Sequence, residues 1–327
     1  MLDMTASRFS ADFERAKITR KIGRTDILFK RLTQSAAILA LLLLGGIIAA
    51  LVEGSLPAFQ RFGLSFFITE KWNPVTDQYG ALAPIYGTLM TSLIALLIAV
   101  PMGIGIAIFL TELSPPILKR PIGIAIELLA GIPSIIYGLW GFFIFAPFLQ
   151  RTLQPALISA TEPIPFLNQL FAGPPFGIGI LTAGLILAIM ILPFIVSITT
   201  DVFETVPPML REAAYGIGCT KWEVVSKVVL PYTRSGVVGG VMLALGHALG
   251  ETMAVTFVVG NAHRISTSIL QPGTTISASI ANEFTEAIPP LYTSSLIALG
   301  LILFIITFIV LAASQILVRR FQRAAGI

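Results

Sequence analysis

Six stretches of the sequence are long and apolar enough to cross a lipid bilayer as helices. A bilayer core about 30 Å thick needs roughly 20 apolar residues per helix, and each stretch reaches that length with few or no charged side chains. Only 12% of the chain is charged, about half of what a soluble globular domain carries. The stretches also lack the alternation of barrel strands. The sequence therefore predicts an all-α integral membrane protein with helices at about 32–52, 77–112, 121–149, 177–200, 235–260 and 291–318.

Lysine and arginine are distributed unevenly between the connections. Of the 21 Lys and Arg residues, seventeen lie in the N-terminal tail, in the connections 112–120 and 201–234, and in the C-terminus, whereas four lie in the other connections. Positively charged connections stay in the cytoplasm. We therefore expect both termini in the cytoplasm. The formal net charge of +4 then reports topology, and no nucleic-acid partner is expected.

This topology predicts four parts of the chain. Residues 1–31 form a cytoplasmic tail and 32–52 the first transmembrane helix. Residues 80–318 form a core of five helices, which includes a cytoplasmic loop at 201–234, and residues 319–327 form the cytoplasmic C-terminus.

The loop at 201–234 carries clear helix start and stop signals. The prolines at 207–208 suit the first turn of a helix, and Gly216 and Gly218 are expected to end it. The run Thr-Lys-Trp-Glu at 220–223 has the spacing of a capping box, which starts a second helix, and Pro231 is expected to end that helix. The loop predicts a compact helical hairpin, for which the alternative is an ordinary solvated loop.

The same loop has a spaced pattern of specific residues. Glu212, Ala213 and Ala214 are followed by three residues, Gly218, nine residues and Val-Val-Leu-Pro at 228–231. This pattern resembles the EAA loop of permease subunits in bacterial ABC importers. In that family the loop forms coupling helices that seat in a groove of the ATPase subunit, with the Glu at the contact and the Gly at the turn. The resemblance implies coupling roles for Glu212, Ala213, Ala214, Gly218, Leu230 and Pro231.

Three further runs narrow the resemblance. The runs Leu-Ala-Pro-Ile-Tyr-Gly-Thr-Leu at 82–89, Glu-Leu-Leu-Ala-Gly-Ile-Pro-Ser-Ile-Ile-Tyr-Gly at 127–138 and Leu-Gly-Glu-Thr-Met-Ala-Val at 249–255 are similar to the phosphate-specific importer. The long tail and the run Ala-Tyr-Gly-Ile-Gly-Cys at 214–219 look most like PstC-type permeases. This resemblance implies the MetI-like core of type I ABC importers, a multi-pass place in the inner (plasma) membrane, and inward transport of inorganic phosphate by alternating access.

The sequence has no phosphate loop of the form G-x-x-x-x-G-K-[ST], so ATP hydrolysis would come from other chains. The resemblance implies four partners besides the bilayer lipids: a second permease of PstA type, a dimer of PstB-type ATPase subunits and a phosphate-binding protein of PstS type. The chain has two histidines and one cysteine, and their positions suggest neither a catalytic triad nor a metal cluster. We expect a permease that is not an enzyme and that needs no cofactor or metal.

Two ionisable residues lie inside the fifth stretch. An ionisable group at mid-membrane is costly unless it is paired or faces water, which makes His247 and Glu251 candidates for the translocation pathway or its gate. Four residues apart, they are expected to share a helix face. Gly236 with Gly240, and Gly246 with Gly250, have a spacing that allows close approach of another helix, and we expect the face that bears the two ionisable residues to look into a subunit interface. PstC-type permeases have Arg where this chain has His247. A hydrogen bond that only fixes helix packing remains the alternative.

Glu127 is the third candidate for the pathway or its gate. It lies about two helical turns after Pro121, directly before the run Gly-Ile-Pro-Ser at 131–134. We expect this run to kink the third span, and a helix interrupted there, with backbone groups exposed toward a cavity, is the alternative. The favoured interpretation is that Glu127 anchors the kink, and contact with the substrate is the alternative.

Other functions remain open at this stage. Within the same class, the chain could be the sister permease subunit or could import another oxyanion such as sulfate or molybdate. An ion-coupled secondary carrier would need no ATPase and would leave the EAA-like spacing without a task. A third alternative is a structural subunit that anchors the assembly while its sister forms the pathway.

Overall fold

A computed structural model describes residues 3–324, with side chains described for residues 25–115, 117–316 and 318–320. Within 3–324 every regular element is a helix, apart from an isolated antiparallel bridge between Asn73 and Gln78. The chain divides into two units, residues 1–53 and residues 54–327. The first unit holds most of one long helix, and the second holds the remaining helices.

The helices follow one another with short connections. In chain order they are α1 (Asp3–Phe62), α2 (Ser65–Ile68), α3 (Leu82–Ile108), α4 (Pro116–Ala130), α5 (Ser134–Trp140), α6 (Ala146–Phe148), α7 (Gln154–Thr161), α8 (Pro165–Leu170), α9 (Ile180–Glu204), α10 (Pro208–Gly216), α11 (Lys221–Val224), α12 (Leu230–Gly250), α13 (Met253–Val258), α14 (Ile276–Glu283) and α15 (Pro290–Ala324). Turns of π-helix lie at Phe109–Leu113, Gly141–Phe145, Leu149–Leu153 and Val225–Val229.

Within the described residues, five helical segments are long and apolar enough to cross a membrane. They are Thr25–Phe62, Leu82–Leu113, Ile180–Glu204, Lys221–Gly250 and Pro290–Arg320. Each overlaps one of the predicted spans, so the prediction of helical spans is confirmed at five of the six positions.

The third predicted span is broken rather than kinked. The helices Ile117–Ala130 and Ser134–Thr161 meet at 89°, so the prediction of a kinked continuous helix is wrong. Gly131 caps α4 and Pro133 is the first residue before α5. Proline cannot donate a backbone hydrogen bond and drives the residue before it out of the helical region. Together these residues stop one helix and start another in a new direction.

α9 is the central helix of the second unit, because 67% of its apolar stretch is buried. α3 and α12 approach it closely at glycines. A Cβ placed on Gly103 of α3 would lie 2.7 Å from Ile195, and one placed on Gly240 of α12 would lie 2.7 Å from Ile198. The predicted close approach at Gly240 is therefore confirmed. Its partner is α9 of the same chain, and the expectation that the face bearing His247 looks into a subunit interface stays a prediction.

The fifth span differs from its prediction at both ends. Helix continues from Lys221 through the π-turn Val225–Val229 into α12, so Pro231 lies in the first turn of α12 and does not end the hairpin's second helix. Because the π-turn already changes the hydrogen-bond register, a missing proline N–H is tolerated there. At the other end α12 stops at Gly250 and Glu251 has extended backbone geometry.

Two apolar clusters lie at opposite ends of α3. One joins Ala107, near the C-terminal end of α3, to Phe203 of α9 and Val224 of α11; we call this the hairpin end. The other contains Ala81, beside the N-terminal end of α3, with Tyr79 and Tyr292; we call this the aromatic end. The predicted hairpin and the 112–120 connection thus lie at one end of the second unit.

Candidate coupling hairpin and translocation residues

The hairpin has the local structure that its sequence predicts. α10 begins at Pro208 with Pro207 as its N-cap and ends at Gly216. Gly218 follows with φ of +91°, a left-handed conformation that side-chain-bearing residues adopt at a cost, and its N–H donates to Tyr215 O at 2.9 Å. A Cβ at position 218 would meet nothing within 4 Å. The turn after α10 therefore favours glycine because of the backbone conformation and not because of a steric clash.

The second helix of the hairpin begins with the predicted capping box. Glu223 N donates to Thr220 Oγ1 at 3.3 Å, and Thr220 N donates to the Glu223 carboxylate at 2.9 Å. The cap satisfies two of the backbone donors that a helix start leaves without partners. It fixes the start of the long helical segment that ends at Gly250.

The residues of the EAA-like pattern divide between an exposed face and a packed face. Glu212 and Ala213 are exposed, whereas Ala214 is buried in the cluster of the hairpin end. Leu230 packs beside the same cluster, and Pro231 is exposed in α12's first turn.

The exposed face of the hairpin also presents large apolar side chains. Met209 is 77%, Ile217 84% and Trp222 67% exposed. Met209 lies in α10, Ile217 in the turn that follows it and Trp222 in α11. An acidic residue near exposed apolar side chains favours a contact surface over a solvated loop.

An ion pair at the base of the hairpin was not found from the sequence. Arg211 Nη2 lies 3.1 Å from Glu112 Oε1, with side chains 22% and 6% exposed. The same Nη2 donates to Phe203 O at 2.7 Å. Arg211 directly precedes Glu212, but no local signal in the sequence links it to a carboxylate 99 residues earlier in the chain.

His247 lies exposed on α12, where the structure places a cavity between three spans. The cavity has a volume of about 410 Å³ and is lined by residues of α9, α12 and α15, including Phe194, His247 and Thr307. The imidazole is 4.9 Å from the Phe194 ring, centre to centre. His247 is therefore accessible from the surface of this single chain, in the last turn of α12.

Glu251 does not share a helix face with His247, because α12 ends between them. Its carboxylate Oε1 accepts a hydrogen bond from Ala254 N at 3.1 Å, so Glu251 supports the start of α13. The prediction of a shared face is wrong: Gly250 and the extended Glu251 break the i, i+4 relation. The structure thus gives Glu251 a local capping contact.

Glu127 is exposed on α4 and lines a cavity of about 510 Å³. The cavity also contacts Leu110 at the end of α3 and Thr200 in α9. Arg120, two turns before Glu127 on the same helix, lines it as well. Glu127 therefore faces an open cavity near the hairpin end, and it does not contact His247 or Glu251, which lie elsewhere on α12 and beyond it.

The aromatic end holds a carboxylate that the sequence reasoning did not single out. Glu283 accepts hydrogen bonds from Trp72 Nε1 at 2.6 Å and from Tyr292 OH at 2.6 Å, and lies 2.7 Å from His263 Nε2. The His263 ring stacks on Trp72 with centres 5.0 Å apart. The one sequence signal for this cluster was the presence of aromatic residues in the outward connections. That signal could not reveal the pairing, because Trp72 and Glu283 are 211 residues apart in the chain.

Hydrogen bonding sets the ionisation of this cluster. Burial raises the pKa of Glu283, but the bonds from His263, Tyr292 and Trp72 outweigh it and hold the pKa below its usual range. Burial, together with the nearby Asp77 carboxylate, raises the pKa of Tyr79 to about 12. Within the described residues no three His, Cys, Asp or Glu side chains group as metal ligands. Because its pKa is lowered, the Glu283 carboxylate is charged at neutral pH.

The second unit is a set of membrane-spanning helices with a helical hairpin at one end, and comparison with known proteins gives its class. Residues 99–323 match the family model described as binding-protein-dependent transport system inner membrane component. The chain belongs to this family of multi-pass inner-membrane permeases.

Relatives of high identity carry a more specific description. The chain is 66% identical over 307 residues to a protein of Mesorhizobium japonicum, covering 94% of each chain, and 56% identical over 301 residues to one of Pasteurella multocida, covering 92% of this chain and 94% of the relative. A relative from Methanocaldococcus jannaschii is 38% identical over 300 residues. The first two are described as phosphate transport system permease protein PstC, and the third as a probable one.

Solved structures support the fold. A chain of the MetNI methionine ABC transporter, in an inward-facing conformation, matches 72% of this chain and 93% of its own length with a TM-score of 0.53 and 16% identity. A chain of a bacterial alginate ABC transporter matches 86% of this chain and 94% of its own length with a TM-score of 0.54 and 19% identity. The predicted MetI-like, all-helical fold is confirmed.

Proposed function

We propose that this chain is the permease subunit of an ATP-driven importer that carries inorganic phosphate across the inner membrane. The observation that carries the proposal is the 66% identity over 94% of both chains to a phosphate transport permease. Such similarity extends over nearly the whole of both chains, which supports a shared function rather than a shared fold alone.

ATP hydrolysis would be supplied by separate ATPase chains that seat against the hairpin. Glu212 and the exposed side chains of Met209, Ile217 and Trp222 form a surface that a partner protein can cover. The sequence contains no phosphate loop for binding ATP itself. A second permease subunit and a phosphate-binding protein would complete the assembly.

We place the hairpin end and both termini in the cytoplasm. The supporting observation is the excess of Lys and Arg in the tail, in 112–120 and 201–234, and at the C-terminus. The structure brings 112–120 and the hairpin to the same end of the second unit. Closure of the ATPase chains would then displace the hairpin and expose the path alternately to each side.

His247 is our first choice for a residue that lines the path. It is exposed in the last turn of α12 beside a cavity of about 410 Å³, and an imidazole can donate a hydrogen bond to an anion in either protonation state. Glu127 is the second choice, as a gating residue, because a carboxylate repels phosphate. Glu251 is retained as a positioning residue through its bond to Ala254 N.

The transport proposal is tested with the whole complex in proteoliposomes. Radiolabelled phosphate and the binding protein are supplied on one side and ATP on the other. We expect uptake that requires ATP and the ATPase chains, and that excess sulfate or molybdate does not inhibit. Uptake that persists without the ATPase chains and follows a proton or sodium gradient would instead identify a secondary carrier.

The orientation is tested by thiol labelling. Cys219 is the chain's single cysteine, so Cys219→Ser removes the background, and Ile217→Cys or Ile288→Cys then adds one thiol at either end, at positions 84% and 87% exposed. A membrane-impermeant reagent added to intact cells with an opened outer envelope should label Ile288→Cys. In cells that lack the ATPase chains, which would cover this position, it should label Ile217→Cys only after the membrane is broken, and the reverse pattern contradicts the orientation.

A further inference from the structure

One guanidinium connects the hairpin to two transmembrane helices. Arg211 in α10 pairs with Glu112, which lies in the π-turn that continues α3, at 3.1 Å. It also donates to the carbonyl of Phe203 in the last turn of α9 at 2.7 Å. The hairpin's first helix is thus joined to the ends of α3 and α9 by one ion pair and one hydrogen bond of a single side chain.

The pair differs from its neighbours in burial. Lys119–Glu204 joins α4 to the same end of α9, at 2.7 Å, but its side chains are 43% and 54% exposed. Glu112 is only 6% exposed. Burying an ion pair costs free energy that apolar side chains of similar size would not cost. A buried pair is therefore a poor choice for stability alone, whereas the planar guanidinium fixes direction as well as distance.

The helices that Arg211 touches also pack closely on each other. Gly184 of α9 would place a Cβ 2.6 Å from Ile94 of α3, and Gly103 of α3 would place one 2.7 Å from Ile195 of α9. Contacts this close leave little room for α3 and α9 to slide independently. A displacement that reaches the end of either helix is passed to both.

We propose that Arg211 is a positioning residue that transmits the displacement of α10 to α3 and α9 through Glu112 and the Phe203 carbonyl. This inference rests on the proposed function, since it concerns the step between ATP turnover and transport. In this proposal the exposed apolar surface of α10 contacts the ATPase subunit. The buried side of the same helix carries the contacts of Arg211 with Glu112 and the Phe203 carbonyl.

The test compares variants in the reconstituted complex and measures phosphate uptake, ATP turnover and the amount of ATPase that copurifies. The principal variant is Arg211→Met with Glu112→Leu, which removes both charges and leaves an apolar pair that a folded core tolerates. Glu112→Gln alone keeps the size of the side chain. Lys119→Met is the matched control, because it removes an exposed pair at the same end of α9.

We expect the double variant to copurify ATPase in wild-type amounts while phosphate uptake per ATP hydrolysed falls at least about fivefold, the lower range of typical coupling. Uptake per ATP hydrolysed should also fall in Glu112→Gln, and in Lys119→Met it should change by less than about twofold. Unchanged uptake per ATP in the double variant overturns the inference, as does an equal loss in the control. Loss of ATPase from the double variant also overturns it, because the pair would then only shape the docking surface.

The wild-type complex in the same assay separates this inference from the proposed function. Absence of ATP-dependent phosphate uptake in the wild type contradicts the proposed function. Wild-type uptake together with an unaffected double variant contradicts only the role of Arg211.

Discussion

The hairpin end and the aromatic end each bury a carboxylate, but they satisfy it in different ways. At the hairpin end Glu112 has one cation, Arg211, and the neighbouring surface exposes Met209 and Ile217. At the aromatic end Glu283 is bonded to three side chains of that end. The first arrangement leaves a face open for another protein, and the second is complete within the chain. This difference is what the proposed coupling role requires: an exposed surface at the hairpin end, and contacts complete within the chain around Glu283 at the aromatic end.

The largest expected effect is at the aromatic end. Glu283→Gln removes the charge that orients Trp72, His263 and Tyr292 and should lower the free energy of unfolding by about 3 kcal/mol, as expected for breaking a buried charged network. Thermal or SDS unfolding in detergent measures this loss. The control Glu286→Gln changes an exposed carboxylate three residues later and should have little effect. Equal stability of the two variants would remove the contrast between the ends.

Next in size is a substitution in the hairpin. Gly218→Val forces a β-branched residue into φ of +91°, which costs about 1–2 kcal/mol or more. Because nothing lies within 4 Å of the added Cβ, the cost is conformational and confined to the turn. We expect phosphate uptake to fall about tenfold while the chain still reaches the membrane.

Gly216→Ala is the matched control for Gly218→Val. Gly216 is the last residue of α10 and also has open space around it, so alanine should be neutral or slightly stabilising. Full uptake by Gly218→Val would show that the turn needs no glycine for transport.

A smaller effect compares two threonine caps, one at each end. Thr220→Ala removes the exposed cap of α11, and Thr275→Ala removes the buried cap of α14, whose hydroxyl accepts from Ala278 N at 3.2 Å. We expect the free energy of unfolding to fall by about 1 kcal/mol for Thr220→Ala. The loss should be larger for Thr275→Ala, because the buried N–H of Ala278 loses its partner. Thr220→Ser and Thr275→Ser, which keep the hydroxyl, are the controls. A larger loss at Thr220 would reverse the ranking of the two ends.

The smallest expected effect is a dependence of stability on pH. Because the pKa of Glu283 is lowered in the folded protein, its contribution is fully present above the unfolded value of 4.5 and is lost as the pH falls through the folded value. The difference in melting temperature between wild type and Glu283→Gln should therefore shrink as the pH falls below 4.5. A difference that grows below this pH would contradict the assigned cause.

Sequence reasoning succeeded where the signal was local. The end of α10 at Gly216, the turn at Gly218 and the capping box at Thr220 each depend on residues within a few positions of one another. Five spans followed directly from apolar length. In these cases backbone geometry and hydrophobicity decide the structure before any long-range contact forms.

It failed where distant contacts or neighbouring breaks decide the structure. Glu251 was placed on a helix face because the apolar stretch continues past Gly250, yet the helix stops there and Glu251 bonds to Ala254. The partners Arg211 and Glu112, and likewise Trp72 and Glu283, are joined only by the packing of the helices. No periodicity within one segment carries that information.

The continuous helical segment from Lys221 to Gly250 would act as a lever between the hairpin and the far end of α12. At 1.5 Å per residue the rod is about 45 Å long, and the glycine contacts with α9 at Gly236 and Gly240 would act as a fulcrum slightly beyond its middle. The arms on either side measure roughly 26 Å and 18 Å. A push of about 3 Å on the near arm would swing the tip beside Glu251 by about 2 Å in the opposite direction, which is comparable to the width of an atom.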